Sequence, residues 1–283
     1  MVPPALPQGL RTRIAPTPSG LLHAGNGASF VLTWKLARAA QGTVLLRIDD
    51  LDAERVRPAY VEDIFRTLKV LGIEPDEGPH DPQELARSWS QQLRMDRYRT
   101  LLDRLRERMA VYACTCTRSM ADGCTCRAKG LDLDAADVSW KLDLLNAAPV
   151  VVRSWPGSDL SLRPADLMPD PVVRQRNGRP AYQIASLADD QAFGIDFVVR
   201  GEDLLPSTVC QLHLARSLGE EAFSRIHFVH HRLLTDAQGM KLSKSQGAGS
   251  LQDMLNDGMP PEAIRQLADE LLADLLRNAA DQA

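Results

Sequence analysis

The stretch RIAPTPSGLLHAGN, residues 13–26, joins a short apolar strand to a helix through a turn rich in proline and glycine. We predict a strand at Thr12–Ala15 and a helix over Ala24–Ala40, where apolar residues recur at helical spacing. The continuous apolar run Thr43–Ile48 is typical of a parallel strand that is covered on both faces. A strand, a helix and a second strand in this order form half of a doubly wound α/β sheet.

The rest of the chain predicts that this sheet is interrupted and then resumes. A helix over 55–71 ends at Gly72, and the Pro- and Gly-rich segment 74–82 leads out of the sheet. From about residue 88 to residue 187 the pattern changes, with an arginine-rich helix and a cysteine cluster. The sheet then resumes, with a strand at 197–200, a helix over 208–218 and a strand near 227–229.

The composition is that of a globular protein without a membrane segment. The 283 residues are 44% apolar, which is enough to bury a substantial core. No apolar run is long enough to span a bilayer and the N-terminus lacks a signal-peptide core, so we expect a cytoplasmic protein. The net charge of −4 gives no overall attraction to nucleic acid. An RNA contact would need local basic residues, unless the following run is an ordinary solvated helix face: Arg94, Arg97, Arg99, Arg104, Arg106 and Arg108.

The helix that follows the opening turn begins at a place suited to anions. Backbone N–H groups and the positive end of the helix dipole bind phosphate there. His23 can donate a hydrogen bond to phosphate, Gly25 lets a nucleotide approach the backbone, and the amide of Asn26 can also donate. A strand, a turn and one histidine also occur as plain structure, so this motif alone does not establish nucleotide binding.

A second motif, KLSKS, occupies residues 241–245 between glycines. Lys241 and Lys244 supply two cations on flexible stems, with Ser243 between them, on a predicted loop able to close over phosphates. Five such residues can also be a solvated basic loop or a chance match. Their order and distance after the first motif favour phosphate binding.

Four cysteines form two C-x-C pairs, Cys114 with Cys116 and Cys124 with Cys126, separated by seven residues. Four thiolates suit a tetrahedral Zn²⁺ ion. Disulfides are rare in the cytosol, and four reduced thiols without a metal are the alternative. Because a full set of protein ligands leaves no open position, we predict that the zinc is structural. Cys210 is predicted to be a buried apolar residue of a helix.

Taken in order, these segments resemble the catalytic domain of the glutamyl-tRNA synthetase family, which belongs to the class I aminoacyl-tRNA synthetases. The resemblance covers nearly the whole chain and stops where the family's anticodon-binding domain begins, as in a truncated branch of that family. It is carried by RIAPTPSGLLHAGN (13–26), RIDDLDAERVRP (47–58), WSQQLRMDRYRTLLDRL (89–105), AYQIASLADDQAFGIDFVVRGEDLLPST (181–208), HHRLLT (230–235) and KLSKS (241–245).

The resemblance implies an α/β fold, namely a Rossmann-type class I synthetase catalytic domain with an inserted zinc-binding subdomain and no anticodon-binding domain. It implies a ligase that uses ATP with Mg²⁺, in which His23, Lys241 and Lys244 are catalytic. Predicted ATP contacts are His23, Gly25, Asn26, Lys241, Ser243 and Lys244. Predicted domains are 1–87, the first half of the catalytic domain; 88–187, the inserted acceptor and zinc-binding subdomain; 188–235, the second half; and 236–283, the KLSKS loop and a short helical segment.

Glutamate recognition, by the same resemblance, uses cations for the side-chain carboxylate and an anion for the α-ammonium. Arg13 and Arg200 are the guanidinium candidates, and Asp49 is the partner of the ammonium, unless its surroundings are only a surface charge cluster that closes a strand. Relatives have Glu where this chain has Asp49, and His where it has Asn26. Cys124 stands where relatives commonly have a tyrosine zinc ligand. The remaining predicted glutamate contacts are Ala15, Thr17 and Tyr182.

The resemblance further implies that the acceptor is tRNA, namely the queuosine base in the anticodon stem-loop of tRNA(Asp). The expected partners are thus L-glutamate and tRNA, with no membrane, and the protein is expected to be a monomer. Two alternatives stay open. One is a compact glutamyl-tRNA synthetase-like enzyme that charges a tRNA 3′ end or another acceptor. The other is a non-catalytic RNA-binding relative, because Asn26 and Asp49 depart from the family pattern. For the amino acid itself, glutamine is the second choice after glutamate.

Overall fold

The computed structural model describes residues 5–117, 124–234 and 249–281. Its first elements are β1 (Arg11–Ile14), α1 (Ala24–Ala39), β2 (Thr43–Leu46) and α2 (Pro58–Leu71). Strands β1 and β2 pair in parallel, with Ile14 opposite Leu46. The predicted strand, helix and strand are therefore confirmed to within two residues at each end.

Helix α2 is bounded by the two residues that most often mark helix ends. Pro58 occupies the first turn, where its missing N–H is not needed, and Gly72 ends the helix with a left-handed φ of 67°. The predicted start at Arg55 is three residues too early. The physical reason is Pro58, which disfavours helical geometry at the preceding Arg57, and this residue is extended with φ −128° and ψ 140°.

The middle of the chain forms short helices and short strands. Three of its strands, β3 (Val111–Cys114), β4 (Ser139–Leu142) and β7 (Val172–Arg174), make an antiparallel sheet in that order. In chain order the elements are α3 (Pro82–Glu84), a π-helical turn (Leu85–Trp89), a 3-10 turn (Gln91–Arg94), α4 (Met95–Glu107), β3 (Val111–Cys114), a 3-10 turn (Cys126–Lys129), β4 (Ser139–Leu142), β5 (Val150–Ser154), β6 (Leu160–Leu162), α5 (Pro164–Leu167) and β7 (Val172–Arg174).

The remaining elements complete a four-stranded sheet whose central strands are parallel, separate from the two-stranded sheet β1-β2, and they add the C-terminal helices. They are α6 (Tyr182–Ala192), β8 (Phe197–Gly201), a 3-10 turn (Glu202–Leu204), α7 (Leu205–Leu218), a second 3-10 turn (Glu221–Arg225), β9 (His227–His231), α8 (Leu251–Asn256) and α9 (Pro261–Asp281). Strand β9 lies between β8 and β5 and is parallel to both. The two chain halves meet where the Asp196 N–H donates to the Arg11 carbonyl at 3.0 Å, at the start of β8 and β1.

Strand β5 lies inside the predicted insertion, 88–187, and yet it extends the parallel sheet. Its run VVVRS carries no feature that assigns a short apolar strand to one sheet or the other. The predicted domain boundaries themselves stay predictions.

Two apolar cores support this arrangement. One lies between the parallel sheet, α1, α2 and α9, and includes the fully buried Leu32 and Ile264. The other lies under the antiparallel sheet, α4, α6 and α7, and includes the fully buried Tyr98, Leu105 and Cys210. The interpretation of Cys210 as a buried apolar residue is thus confirmed. Within the described ranges, no helix is both long and apolar enough to cross a membrane.

Candidate active site

A cavity of about 450 Å³ opens at the carboxyl ends of the parallel strands. Ligands of α/β proteins bind at this edge of a sheet. The predicted residues Lys241, Ser243 and Lys244 lie outside the described residues. All the other predicted ATP and glutamate contacts line the cavity: Arg13, Ala15, Thr17, His23, Gly25, Asn26, Asp49, Tyr182 and Arg200.

The start of helix α1 is held by a reciprocal cap between His23 and Asn26. The His23 Nδ1 accepts from the Asn26 backbone N–H at 3.3 Å, and the Asn26 Oδ1 accepts from the His23 N–H at 3.1 Å. Because Nδ1 is an acceptor, the neutral imidazole carries its proton on Nε2 and can donate from there. Asn26 thus also caps helix α1, a role that was not predicted from the sequence. The usual sequence signal for such a cap is a polar residue three positions after the first capping residue.

Gly25 supports the same histidine. A Cβ built at residue 25 would lie 3.0 Å from two atoms of the His23 ring, which is closer than ordinary packing. Any larger residue would therefore displace the imidazole. The predicted reason for this glycine, close approach of a nucleotide to the backbone, stays a prediction.

Arg13, Arg47, Asp49 and Asp190 form a buried chain of alternating charge along one wall. Arg47 pairs with Asp49 at 2.7 Å and with Asp190 at 2.6 Å, and Asp190 also accepts from Arg13 at 3.1 Å. Burial raises the pKa of Asp49, against the opposing effect of Arg47. Burial acts in the same direction on Asp190, but Arg13, Arg47 and Arg200 outweigh it and hold the pKa of Asp190 below its usual value. The wall is thus preorganised by the protein's own ion pairs.

Asp49 is therefore part of the wall and not a surface charge, at 6% exposure. Its oxygens accept from Arg47 and, at 3.4 Å, from the Gln91 amide. A carboxylate has about four lone-pair positions, so these contacts leave capacity for a ligand ammonium. The neighbouring Asp189 is paired with Arg94 at 2.8 Å and accepts from the Tyr98 hydroxyl.

Arg200 has more buried nitrogen atoms without a hydrogen-bond partner than any other described cation that lines the cavity. It lies near the end of β8, is 4% exposed, and its Nη2 donates to the Gln211 Oε1 at 3.1 Å. Its Nε and Nη1 are buried and have no hydrogen-bond partner among the described residues. The ring of Phe228 lies 5.2 Å from the guanidinium carbon. Burial lowers the pKa of Arg200 to about 10, so that it stays positively charged at neutral pH.

Burial lowers the pKa of His230 and His231, two histidines of the motif HHRLLT, and favours their neutral forms. The His230 ring is stacked on Phe228, and its Nε2 shares a 2.7 Å hydrogen bond with the Thr208 hydroxyl. Burial lowers the pKa of His230 to about 3, with a further contribution from Arg200. His231 lines the cavity and contacts the Ser29 hydroxyl at 3.0 Å. Neither ring therefore adds a positive charge near Arg200.

Two arginines in or next to helix α4 are paired with other parts of the protein. Arg94, the residue before α4, belongs to the buried Asp189 pair. Arg104 pairs with Glu220 and donates to the Leu218 carbonyl. An RNA contact through this helix stays a prediction, and it would depend on the outer arginines.

The four cysteines of the two C-x-C pairs meet in space. Their sulfur atoms all lie within 4.8 Å of one another. The Sγ atom of Cys124 lies 3.6 Å from those of Cys114 and Cys116, and the Cys116 and Cys126 sulfurs are also 3.6 Å apart. A tetrahedron with Zn–S bonds of about 2.3 Å has sulfur atoms about 3.8 Å apart, so this cluster fits the ion. The Cys116 N–H also points to the Cys114 sulfur, at 3.4 Å.

Comparison with known proteins places this chain in one class. The sequence matches the family described as tRNA synthetases class I (E and Q), catalytic domain, over residues 9–123 and 158–271. The chain belongs to this family. It is therefore a ligase of the aminoacyl-tRNA synthetase type, with an ATP-using catalytic domain.

Within this family, the chain is similar to proteins named for glutamate. A glutamyl-Q tRNA(Asp) synthetase of Burkholderia cenocepacia is 37% identical over 281 residues, which cover 93% of this chain and 88% of that protein. A protein of the same name from Nitratidesulfovibrio vulgaris is 34% identical and is covered to 84%. Glutamate–tRNA ligase 1 of Roseobacter denitrificans is 33% identical over 92% of this chain, but over only 60% of its own length.

Solved structures show the same fold. Glutamate-tRNA synthetase from Elizabethkingia anophelis superimposes with a TM-score of 0.68 at 23% identity, over 89% of this chain. Methionyl-tRNA synthetase of Mycobacterium tuberculosis gives a TM-score of 0.58 at 14% identity, over 93% of this chain. This chain spans 55% of the first of these proteins and 64% of the second.

Proposed function

We propose that this protein activates L-glutamate with ATP and passes the glutamyl group to a tRNA acceptor. The observation that carries the proposal is the buried guanidinium of Arg200, which lines the cavity with two nitrogen atoms that lack a partner among the described residues. A carboxylate matches the fork of a guanidinium, so a side chain that ends in a carboxylate completes this site. The names of the relatives, glutamyl-Q tRNA(Asp) synthetase and glutamate–tRNA ligase, support the same amino acid.

In this proposal the α-carboxylate of glutamate attacks the α-phosphorus of ATP, and pyrophosphate leaves. Arg200 and Arg13 hold the side-chain carboxylate, while Asp49 receives the α-ammonium. The start of helix α1 and the Nε2 of His23 bind phosphate oxygens, together with Lys244 and its neighbours in KLSKS. Mg²⁺ bound with the nucleotide would offset phosphate charge. Catalysis is then mainly positioning and charge stabilisation.

For the acceptor we propose the queuosine base of tRNA(Asp). Relatives that carry this acceptor in their name match this chain over most of their own length, 84% and 88% for two of them. The ligase that is named for glutamate and tRNA alone is matched over 60% of its length. A compact enzyme that charges a tRNA 3′ end is the second candidate, supported by that same relative.

Labelled glutamate separates these acceptors. We expect label to be incorporated into tRNA(Asp) that contains queuosine, and not into a transcript of the same sequence that lacks it. Equal labelling of both RNAs would favour the 3′ end. Absence of glutamate-dependent pyrophosphate exchange, with and without tRNA, would favour a non-catalytic RNA-binding protein.

We also propose that Cys114, Cys116, Cys124 and Cys126 hold one structural Zn²⁺ ion. The support is the mutual distance of the four sulfur atoms, all within 4.8 Å. Four thiolate ligands leave no position for a water or a substrate, so the ion would stabilise the inserted sheet and take no part in activation.

A further inference from the structure

Arg200 differs from the other two guanidiniums that line the cavity. Arg13 is paired with Asp190, and Arg47 is paired with Asp49 and Asp190. Among the described residues, no carboxylate forms an ion pair with Arg200. The side chain that orients it is Gln211, a neutral amide from helix α7 that is fully buried.

Because Arg200 lacks a carboxylate partner in the described parts of the chain, the buried charges of the wall do not balance. Arg13, Arg47 and Arg200 contribute three positive charges, and Asp49 and Asp190 contribute two negative charges, so one positive charge remains. All five side chains are at most 6% exposed, so water does little to screen this excess. A ligand that brings one buried negative charge balances the wall.

We propose that Gln211 is a positioning residue that determines specificity: its amide orients Arg200 without neutralising it, and so reserves that charge for an anionic amino-acid side chain. This inference rests on the proposed function, in which Arg200 binds the carboxylate of glutamate. Glutamine brings no charge to balance Arg200, so the same device discriminates against it.

A negative charge can be introduced at Gln211 because one of its two terminal side-chain atoms makes no hydrogen bond among the described residues. Its Oε1 accepts from Arg200, whereas its Nε2 is buried without a hydrogen-bond partner among the described residues. Gln211→Glu replaces this Nε2 with an oxygen of similar size, so no hydrogen bond of the described structure is lost. The substitution places a carboxylate 3.1 Å from the Arg200 guanidinium, at the distance of the present contact. Gln211→Met is the matched neutral variant, which removes the contact and adds no charge.

The experiment measures amino-acid-dependent exchange of pyrophosphate into ATP for the wild type and both variants, with glutamate and with glutamine, together with thermal unfolding without substrates. For Gln211→Glu we expect kcat/KM for glutamate to fall on the order of 10²-fold or more, because a buried partner now occupies Arg200. The ratio of kcat/KM for glutamate to that for glutamine falls with it. Gln211→Met loses less glutamate activity, and Gln211→Glu unfolds at a higher temperature than Gln211→Met because Arg200 has gained a counterion.

Two results would overturn the inference. One is equal loss of glutamate activity in both variants, which indicates a packing role alone. The other is an unfolding temperature of Gln211→Glu at or below that of Gln211→Met, which means that Arg200 has no need of a counterion. A wild type that activates no glutamate overturns the proposed function instead, and the order of the unfolding temperatures then still decides whether Arg200 lacks a buried partner.

Discussion

The cavity wall and the cysteine cluster are assembled in opposite ways. The wall joins side chains from β1, the segment after β2, α6 and β8, and its ion pair between Arg13 and Asp190 connects residues 177 positions apart. The cluster takes all its sulfur atoms from residues 114–126. The wall carries carboxylate partners for two of its three guanidiniums, Arg13 and Arg47, whereas the proposed zinc ion would hold the four neighbouring thiols. Changes in the wall should therefore impair activation, and changes in the cluster should impair stability.

Of the substitutions in the wall, Arg200→Met should reduce glutamate activation most, because it removes the cation that has no carboxylate partner among the described residues. We expect kcat/KM for glutamate to fall on the order of 10³-fold or more, while KM for ATP changes little. Steady-state pyrophosphate exchange measures both. Arg99→Met is the matched control, since Arg99 is exposed and its ion-pair partner among the described residues is Asp96 on the same helix. Equal effects of the two substitutions would contradict the assignment of Arg200.

His23→Ala and Lys244→Ala test the phosphate side of the cavity. Both groups are proposed to stabilise the negative charge that develops on the phosphates in the transition state. The loss of one such donor reduces kcat on the order of 10²- to 10³-fold. KM for ATP should change less than kcat. Lys35→Ala, which removes a partly exposed lysine paired with Asp269, is the control. A larger change in ATP affinity than in rate would show that these groups only bind the ground state.

Asp190→Asn tests whether the wall is held by its own charges. The pKa of Asp190 is lowered in the folded protein, so its stabilising contribution is fully present above the usual carboxyl pKa and is lost as the pH falls through the lowered value. We expect the variant to lose about 3 kcal/mol of unfolding free energy at pH 7, and less at acid pH. Urea unfolding at several pH values measures this.

The control for that series is Asp269→Asn, because Asp269 is more than half exposed and belongs to a surface ion pair. Its expected effect is about 0.5 kcal/mol or less. A loss for Asp190→Asn that is equally small, or that grows as the pH falls, would mean that the buried pairs with Arg13 and Arg47 do not hold the wall.

The cysteine cluster should give the smallest effect on activation. Cys124→Ser is expected to lower the zinc content of protein purified without added metal, and to lower the unfolding temperature by several degrees, because the binding energy of a structural ion is folding energy. Glutamate activation should stay within about threefold of the wild type, since a closed four-ligand site supplies no catalytic position. Thr125→Ser, at an exposed neighbour, is the control. A wild type without metal, with four freely titrating thiols, would leave the cluster as ordinary cysteines.

The same contrast explains how much the sequence could predict. The strand, helix and strand around the opening stretch follow from apolar spacing, and the C-x-C spacing alone predicted the meeting of the four cysteines. The glutamate-binding candidates of the cavity were named from the resemblance to the glutamyl-tRNA synthetase family. The carboxyl ends of parallel strands share one edge, which is consistent with their meeting there.

The partners of those residues could not be predicted. Asp190 and Gln211 lie on helices whose buried faces are set by tertiary packing, and nothing in the neighbouring sequence says that they meet Arg13 or Arg200. The placement of β5 in the parallel sheet was missed for the same reason. The cap between His23 and Asn26, in contrast, is local, and its spacing was a usable signal.

We propose that the cavity activates glutamate without help from RNA, because its charged wall is already arranged by its own ion pairs. Exchange of labelled pyrophosphate into ATP, with the purified protein, glutamate and Mg²⁺ but no RNA, tests this directly. We predict that exchange appears, that it depends on glutamate, and that added tRNA is not required for it. Exchange that appears only after tRNA is added, or that is equally fast without glutamate, would contradict the claim.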